Sequence, residues 1–190
     1  MLTDRDKKVL NFIETYGALT VGQVTEMFFN GLDRSCRRRL PQLEEQGLLR
    51  SYTREFTKEK VYYMHKKKST HDLYIMDFLK KAKQIGFNVR KLDLEPRYLN
   101  DTIRPDAYIQ LRRGNEIYLI LLEVDYTHYT SNSKMQKYEN LFKSGEARVE
   151  GVFPSVVIAR PTKGIRYNSS NFRVIYTDLQ YSNLERLLIL

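Results

Sequence analysis

Hydrophobic positions recur at helical spacing through residues 1–47 and predict three helices. The first helix begins after Thr3 and ends at Gly17, and a second, short helix begins after Thr20. The third helix is predicted to have Asp33 as its capping residue and to end at Gly47. This part of the chain is therefore expected to be all helical.

Two stretches rich in Leu, Tyr and Val follow, on either side of a charged turn at residues 57–59. This pattern predicts a β-hairpin. Three helices and a hairpin are the element order of a winged helix-turn-helix, whose third helix usually enters the major groove of DNA. We therefore predict a winged helix-turn-helix DNA-binding domain over residues 1–68, with the polar and basic stretch HKKKST as a linker.

Residues 69–190 alternate between strand and helix patterns, which predicts a second, mixed domain. Strands are predicted at residues 89–94, 105–111, 117–126, 153–159 and 172–176, and helices at residues 71–86, 132–143 and 178–188. The fold class expected for the whole chain is α+β or α/β, with a sheet flanked by helices in the second domain.

The formal net charge of +9 favours a polyanionic partner, such as nucleic acid or an anionic membrane surface. Cys36 is the single cysteine, so no disulfide can form within the chain and a cysteine-based zinc site is not expected. No apolar run approaches the roughly 20 residues of a membrane span, and the N-terminal residues lack the apolar core of a signal peptide. We expect a cytoplasmic protein without a membrane partner.

Arginines are concentrated in the third predicted helix, DRSCRRRLPQLEEQG. Its apolar positions share one face, so Arg34, Arg37 and Arg38 project from the opposite face, where they suit phosphates or base edges. The alternative is a solvated helix surface. Pro41 predicts a kink in this helix or an earlier end. The hairpin adds three basic residues as expected contacts to the DNA backbone: Arg54, Lys58 and Lys60.

Two carboxylates interrupt the hydrophobic run LLEVDYTHYT at residues 121–130. The preceding strand is joined to this one through RRGNE, in which Gly114 and Asn115 suit a two-residue type II′ turn. That turn would place Asp106 opposite Glu123, with Asp125 on the same face because strand side chains alternate. The pattern predicts a cluster of three acids whose repulsion a divalent cation relieves. The alternative is a set of solvated or ion-paired acids at a strand end.

The two halves of the chain together resemble the replication-relaxation family, which is found on plasmids and mobile elements. The resemblance in the first half runs through LTDRDKKVLNFIETYGALTVGQVTEMFF and RRRLPQLEEQGLL. In the second half it runs through RPDAYIQL and LLEVDYTHYTSNSKMQKYENLF, so that roughly the first two-thirds of the chain are covered. It implies a winged helix joined to a domain similar to the PD-(D/E)xK restriction-endonuclease-like fold.

In that fold the Asp of the PD pair and a Glu on the next strand bind the metal, here Asp106 and Glu123 as ligands for Mg²⁺ or Mn²⁺. The lysine that usually lies two residues after the Glu is replaced by Asp125. Such folds sometimes carry the lysine on the following helix, where Lys134 flanks the apolar face that includes Tyr138. The replacement at Asp125 favours binding over cleavage.

These features favour a DNA-binding accessory protein of plasmid replication or conjugative mobilisation. It would bind double-stranded origin DNA and position a relaxase or another replication or transfer protein. One alternative is an active Mg²⁺- or Mn²⁺-dependent nuclease with Asp106, Glu123, Asp125 and Lys134 in its catalytic site. A further alternative is a transcriptional repressor whose second domain dimerises.

Overall fold

The chain forms two compact units, residues 1–84 and residues 85–190. A computed structural model describes residues 1–161, 164 and 166–189, in which six helices and eight strands form. The molecule is thus a mixed α+β protein, as the sequence predicts. None of the helices in the described residues is long and apolar enough to cross a membrane.

The first unit combines four helices with a small sheet. Its elements are α1 (Asp4–Tyr16), β1 (Ala18–Thr20), α2 (Val21–Phe29), α3 (Asp33–Glu45), β2 (Arg50–Thr53), β3 (Lys60–Tyr63) and α4 (Thr70–Gln84). The strands are antiparallel in the order β1-β3-β2, so the predicted hairpin forms and gains a third strand. Strand β1 was not predicted, because three residues are too few to show the alternation that marks a strand.

The first two helices begin with reciprocal side-chain caps. Thr3 and Asp6 form a capping box at α1, and Thr20 and Gln23 form another at α2. At α3 the prediction is wrong, because Leu32 occupies the cap position and makes no side-chain hydrogen bond to the helix. Asp33 is instead the first helical residue, where its carboxylate suits the positive end of the helix dipole.

Helix α3 continues through Pro41 to Glu45, so the predicted alternative of an earlier end is wrong. An interior proline destabilises a helix by about 3 kcal/mol. Leu40 and Leu43 are almost fully buried, and each contributes about 1.5–3 kcal/mol through removal of its side chain from water. This burial outweighs the effect of the proline and holds the helix in place.

Helix α4 belongs to the first unit, so the predicted boundary at residue 68 lies one helix too early. The Gln23 side-chain amide donates to the Leu73 carbonyl at 2.9 Å and to the Asp77 carboxylate at 2.8 Å. Arg54 also donates to Asp77, at 2.9 Å. Buried polar groups that bind across elements in this way fix α4 against α2 and the hairpin.

The second unit is a five-stranded sheet with two helices. Its elements are β4 (Asn88–Leu94), β5 (Ala107–Arg113), β6 (Glu116–Val124), α5 (Asn132–Ser144), β7 (Ser155–Ala159), β8 (Val174–Thr177) and α6 (Leu184–Ile189). The order is β4-β5-β6-β7-β8, antiparallel from β4 to β6 and parallel from β6 to β8. The predicted strands agree within two residues, but the last helix begins at Leu184 rather than at residue 178.

Helix α5 covers one face of this sheet. Its buried residues Met135, Tyr138 and Leu141 share a hydrophobic cluster with Leu121 of β6 and Val156 of β7. Because strand side chains alternate, a residue two positions after Leu121 projects toward the same helix. The fold therefore directs the side chain at position 123 toward α5.

The β5–β6 turn sets which residues face one another at the other end of the hairpin. Gly114 has a φ of 60°, as the first central residue of a type II′ turn requires, and Arg113 pairs with Glu116 as predicted. The register runs without a break to the pair Ala107 and Leu122. The next residue back along β5 is Asp106, so the turn arithmetic is confirmed up to the edge of the carboxylate site.

Candidate functional site

Asp106 lies one residue before β5 and is bound to β6 by both its main chain and its side chain. Its amide donates to the Leu122 carbonyl at 3.0 Å, and its carboxylate accepts from the Val124 amide at 2.7 Å. The side chain is half-buried. It is close enough to Glu123 for its negative charge to act on that carboxyl group, as the resemblance implies for the two residues.

Glu123 is the most deeply buried acid of the site, with 2% of its surface exposed. The ammonium group of Lys134 contacts one carboxylate oxygen at 2.5 Å, and the hydroxyl of Tyr138 donates to the other at 2.5 Å. Burial raises the pKa of Glu123 to about 7, the charge of Lys134 opposes this rise, and the charge of Asp106 adds to it. The group therefore takes up or releases a proton near neutral pH.

Lys134 is delivered by the first turn of α5. The Ser131 side chain caps that helix by accepting from the Lys134 amide at 3.1 Å. A lysine in the first turn is repelled by the positive end of the helix dipole. The contact of Lys134 with the Glu123 carboxylate offsets this repulsion. The sequence singled out Lys134, and the structure brings it to the predicted carboxylate.

Tyr138 lies one turn beyond Lys134 and was predicted only as an apolar-face residue. It is buried in the α5 core, and its hydroxyl also reaches Glu123. Burial and the neighbouring Glu123 raise the pKa of Tyr138 well above its ordinary value, so the hydroxyl stays protonated and acts as a donor. A tyrosine four residues after the candidate lysine was the sequence signal for this role.

Asp125 follows β6 directly and makes contacts of its own. One carboxylate oxygen accepts from the Thr130 amide at 2.8 Å and from its hydroxyl at 2.6 Å. The other lies 3.5 Å from the Arg160 guanidinium. Burial raises the pKa of Asp125, while the Thr130 hydrogen bonds and the charge of Arg160 lower it.

The predicted cluster of three acids is therefore wrong in its third member, because Asp125 is ion-paired with Arg160. Across residues 1–161, 164 and 166–189, no three His, Cys, Asp or Glu side chains are placed to hold one metal ion. Arg160 itself was missed by sequence reasoning. It follows the buried strand β7 directly and its guanidinium lies 4.4 Å from the Tyr176 ring centre. A charged residue after a buried strand was the signal, as it was for Asp125.

The remaining two acids, Asp106 and Glu123, have the oxygen ligands that Mg²⁺ and Mn²⁺ prefer. Such an ion would polarise a phosphodiester and activate water. Each oxygen of Glu123 accepts one hydrogen bond and keeps a second lone pair, so an ion could bind at Glu123 while Lys134 and Tyr138 stay in place. The donor types of Asp106 and Glu123 therefore fit a divalent cation.

No model of a known family, no curated protein and no solved structure matches this chain. Function is therefore inferred from two features of the structure, which are the carboxylate site of the second unit and the basic surface of the first unit.

The predicted DNA-contacting face of α3 is exposed at Arg34, Arg37 and Arg38. Arg37 donates to Asp33 at 2.6 Å, but both side chains are more than half exposed. An exposed pair one helical turn apart contributes only about 0.3–0.5 kcal/mol, so Arg37 exchanges this contact readily for another anion. The opposite face, with Leu40, is buried as predicted.

The three basic residues of the hairpin differ in their surroundings. Lys58 is exposed in the turn between β2 and β3. Lys60 is also exposed, and its ammonium group binds Glu44 at 2.7 Å. Arg54 does not fit the predicted role of a DNA contact, because its side chain is 3% exposed, binds Asp77 and lies over the Tyr74 ring. Its contacts assign it to the packing of α4.

Proposed function

We propose that this protein is a DNA-binding accessory protein of plasmid replication or conjugative mobilisation. The observation that supports this most directly is the exposed arginine face of α3, on a helix whose other face is anchored in the core. Arginines held on a fixed helix can contact phosphates and base edges without first ordering the backbone. The net charge of +9 adds a general attraction to DNA.

The arrangement of the first unit also supports a winged helix-turn-helix. Three helices precede a hairpin, α3 has an exposed basic face, and Lys58 lies at the tip of the hairpin. In that architecture α3 would lie in the major groove and the hairpin would contact the DNA backbone. Fixing α4 to this unit would extend the domain beyond the minimal motif.

For the second unit we propose a nuclease-like domain whose main role is binding. Asp125 occupies the position at which the resemblance implies a lysine, and its carboxylate forms an ion pair with Arg160. The ion pairs of Asp125 and Glu123 hold the site in a single arrangement. The domain would position the DNA or contact a relaxase or another replication or transfer protein.

The double variant Arg34→Ala/Arg37→Ala is expected to bind duplex DNA at least tenfold more weakly. An arginine that contacts a base contributes roughly 1–3 kcal/mol, and one that contacts a phosphate adds to the salt dependence. The measurement is a gel shift of the full chain with origin-region DNA and with random DNA, at moderate salt.

The matched control is Lys7→Ala/Lys8→Ala on α1. It removes the same charge, and Lys7 is paired with Asp4 as Arg37 is with Asp33. If the two double variants lose DNA affinity equally, α3 would contribute only through its positive charge and not through specific contacts. Binding that does not distinguish origin DNA from random DNA would overturn origin recognition.

A second candidate function is a metal-dependent nuclease. The observation in its favour is that Lys134 meets Glu123 beside Asp106, which are the residue types such a site uses. Supercoiled plasmid incubated with the protein and Mg²⁺ or Mn²⁺ should then be nicked, and Asp106→Ala should abolish nicking. Nicking that persists unchanged in Asp106→Ala, or its absence from the unmodified protein, removes this candidate.

A further inference from the structure

A cleft of about 350 Å³ lies in the first unit between the start of α1 and the outer surface of α3. Pockets that hold small ligands begin at roughly 300 Å³, so the cleft has room for a ligand group. The side chains that determine its chemistry are Arg5, Phe29, Ser35, Arg38, Arg39 and Gln42. Three of these six are arginines, and they have different roles.

Arg39 forms the fixed part of the cleft. Its guanidinium donates to both carboxylate oxygens of Asp6, at 3.0 and 2.8 Å, and to the Gln42 side chain at 3.0 Å. Asp6 is 2% exposed, and although burial raises its pKa, the bonds from Arg39 and Thr3 lower it to about 2. The charge of Arg39 is therefore balanced within the protein, and this pair ties α3 to α1.

Arg5 and Arg38 supply the charge that is left unbalanced. Within the described residues neither side chain forms an ion pair, and both are exposed. The Arg5 guanidinium carbon lies 4.7 Å from the centre of the Phe29 ring, a cation–π contact that restricts where the guanidinium lies. Ser35 adds a hydroxyl group to the same cleft. The cleft thus presents two arginines and a hydroxyl to one volume.

We propose that this cleft binds a phosphate group of the DNA backbone through Arg5 and Arg38. Guanidinium groups match the oxygens of a phosphate with paired hydrogen bonds, and the Ser35 hydroxyl donates a further one. A phosphate held here fixes the register of α3 on the duplex without reading sequence. The site rests on the proposed DNA-binding function, to which it adds Arg5 of α1 and the Ser35 hydroxyl of α3 as contacts beyond the three arginines of the α3 face.

The test is the salt dependence of duplex DNA binding by the full chain and by Arg5→Gln. Loss of one phosphate contact lowers the magnitude of the slope of log K against log salt by about 0.9. That change corresponds to about five- to tenfold weaker binding at 0.1 M salt. Lys8→Gln, an exposed charge on the same helix outside the cleft, is the matched control and should leave the slope unchanged. Arg38→Gln should repeat the effect of Arg5→Gln.

If the slope of log K against log salt changes equally in Arg5→Gln and Lys8→Gln, the proposal that the cleft binds a phosphate is overturned. The proposal that Arg34 and Arg37 contact DNA is not affected by that result. If the unmodified chain binds no DNA, the proposed function fails. Binding of inorganic phosphate then tests whether the cleft is a phosphate site. The Arg side-chain NMR signals of the full chain are then followed during a phosphate titration. Shifts at Arg5 and Arg38 support a phosphate site, and the absence of shifts at both overturns it.

Discussion

Replacing Lys134 by methionine is expected to lower the free energy of unfolding by about 2–4 kcal/mol at pH 8 and by much less at pH 5. Lys134 contacts a carboxylate that is almost fully buried, whereas its own side chain is 31% exposed. Methionine keeps the length of the side chain but removes the charge. Glu123 then faces Asp106 with only the Tyr138 hydroxyl to stabilise its ionised form.

The pH dependence follows from the pKa of Glu123, which is about 7 in the folded protein against an ordinary 4.5. Between pH 4.5 and about 7, Glu123 is protonated in the folded protein and ionised in the unfolded chain. The contribution of Glu123 to stability is therefore fully present below pH 4.5. It is lost as the pH rises through 7. Removing Lys134 raises the pKa of Glu123 in the folded protein further. The variant therefore loses more stability at pH 8, where the unfolded chain has released the proton that the folded state retains, than at pH 5.

Urea unfolding of the full chain in EDTA, at pH 5 and at pH 8, measures this effect. The control is Lys137→Met, which removes an exposed lysine from the same helix. It should change stability by less than about 0.5 kcal/mol at both pH values. A Lys134→Met variant whose destabilisation is the same at pH 5 and pH 8 would contradict the coupling between Lys134 and the ionised Glu123.

Replacing Asp125 by lysine is expected to destabilise the protein by about 3–5 kcal/mol, although this substitution restores the residue that the resemblance implies. Arg160 is 8% exposed and takes its charge balance from Asp125. A lysine at this position would place a second cation against the buried guanidinium. It would also remove the acceptor for the Thr130 amide and hydroxyl.

Asp125→Asn separates the two contributions to this loss. Asparagine keeps an oxygen that can accept from Thr130 but no longer balances Arg160, so a smaller loss of about 1–3 kcal/mol is expected. Thermal and urea unfolding of the three proteins provides the comparison. If Asp125→Lys were as stable as the unmodified chain, the ion pair between Asp125 and Arg160 would not contribute to the stability of the fold.

Local patterns predicted most of the secondary structure. Thr3 and Thr20 cap their helices as expected because a cap is decided by residues three positions apart. The pairing of Arg113 with Glu116 followed from the glycine in the turn. The end of the first unit did not follow, because α4 is assigned to it by contacts such as Gln23 to Asp77, which span the sequence.

The same distinction applies to the candidate sites. Glu123 and Asp106 were found from strand parity and turn length, both of which are local. The partners of Asp125 and Arg54 were not found, because Arg160 and Asp77 lie on elements that only the tertiary fold brings close. For Arg54 the consequence was an error of role, since a basic residue in a hairpin looks the same in sequence whether it is exposed or buried.

The mixed direction of the sheet bears on the order in which the carboxylate site assembles. Strands β5 and β6 are joined by a two-residue turn, so pairing that begins at this short loop and extends along the hairpin brings Asp106 and Glu123 together at its open end. The parallel pairing of β6 with β7 needs residues 125–154 to be brought back first. We therefore expect Asp106 and Glu123 to come together early in folding and Arg160 to reach Asp125 late. Until β7 docks, the nascent site is an acidic hairpin without its arginine, and it gains that cation only in the closing steps.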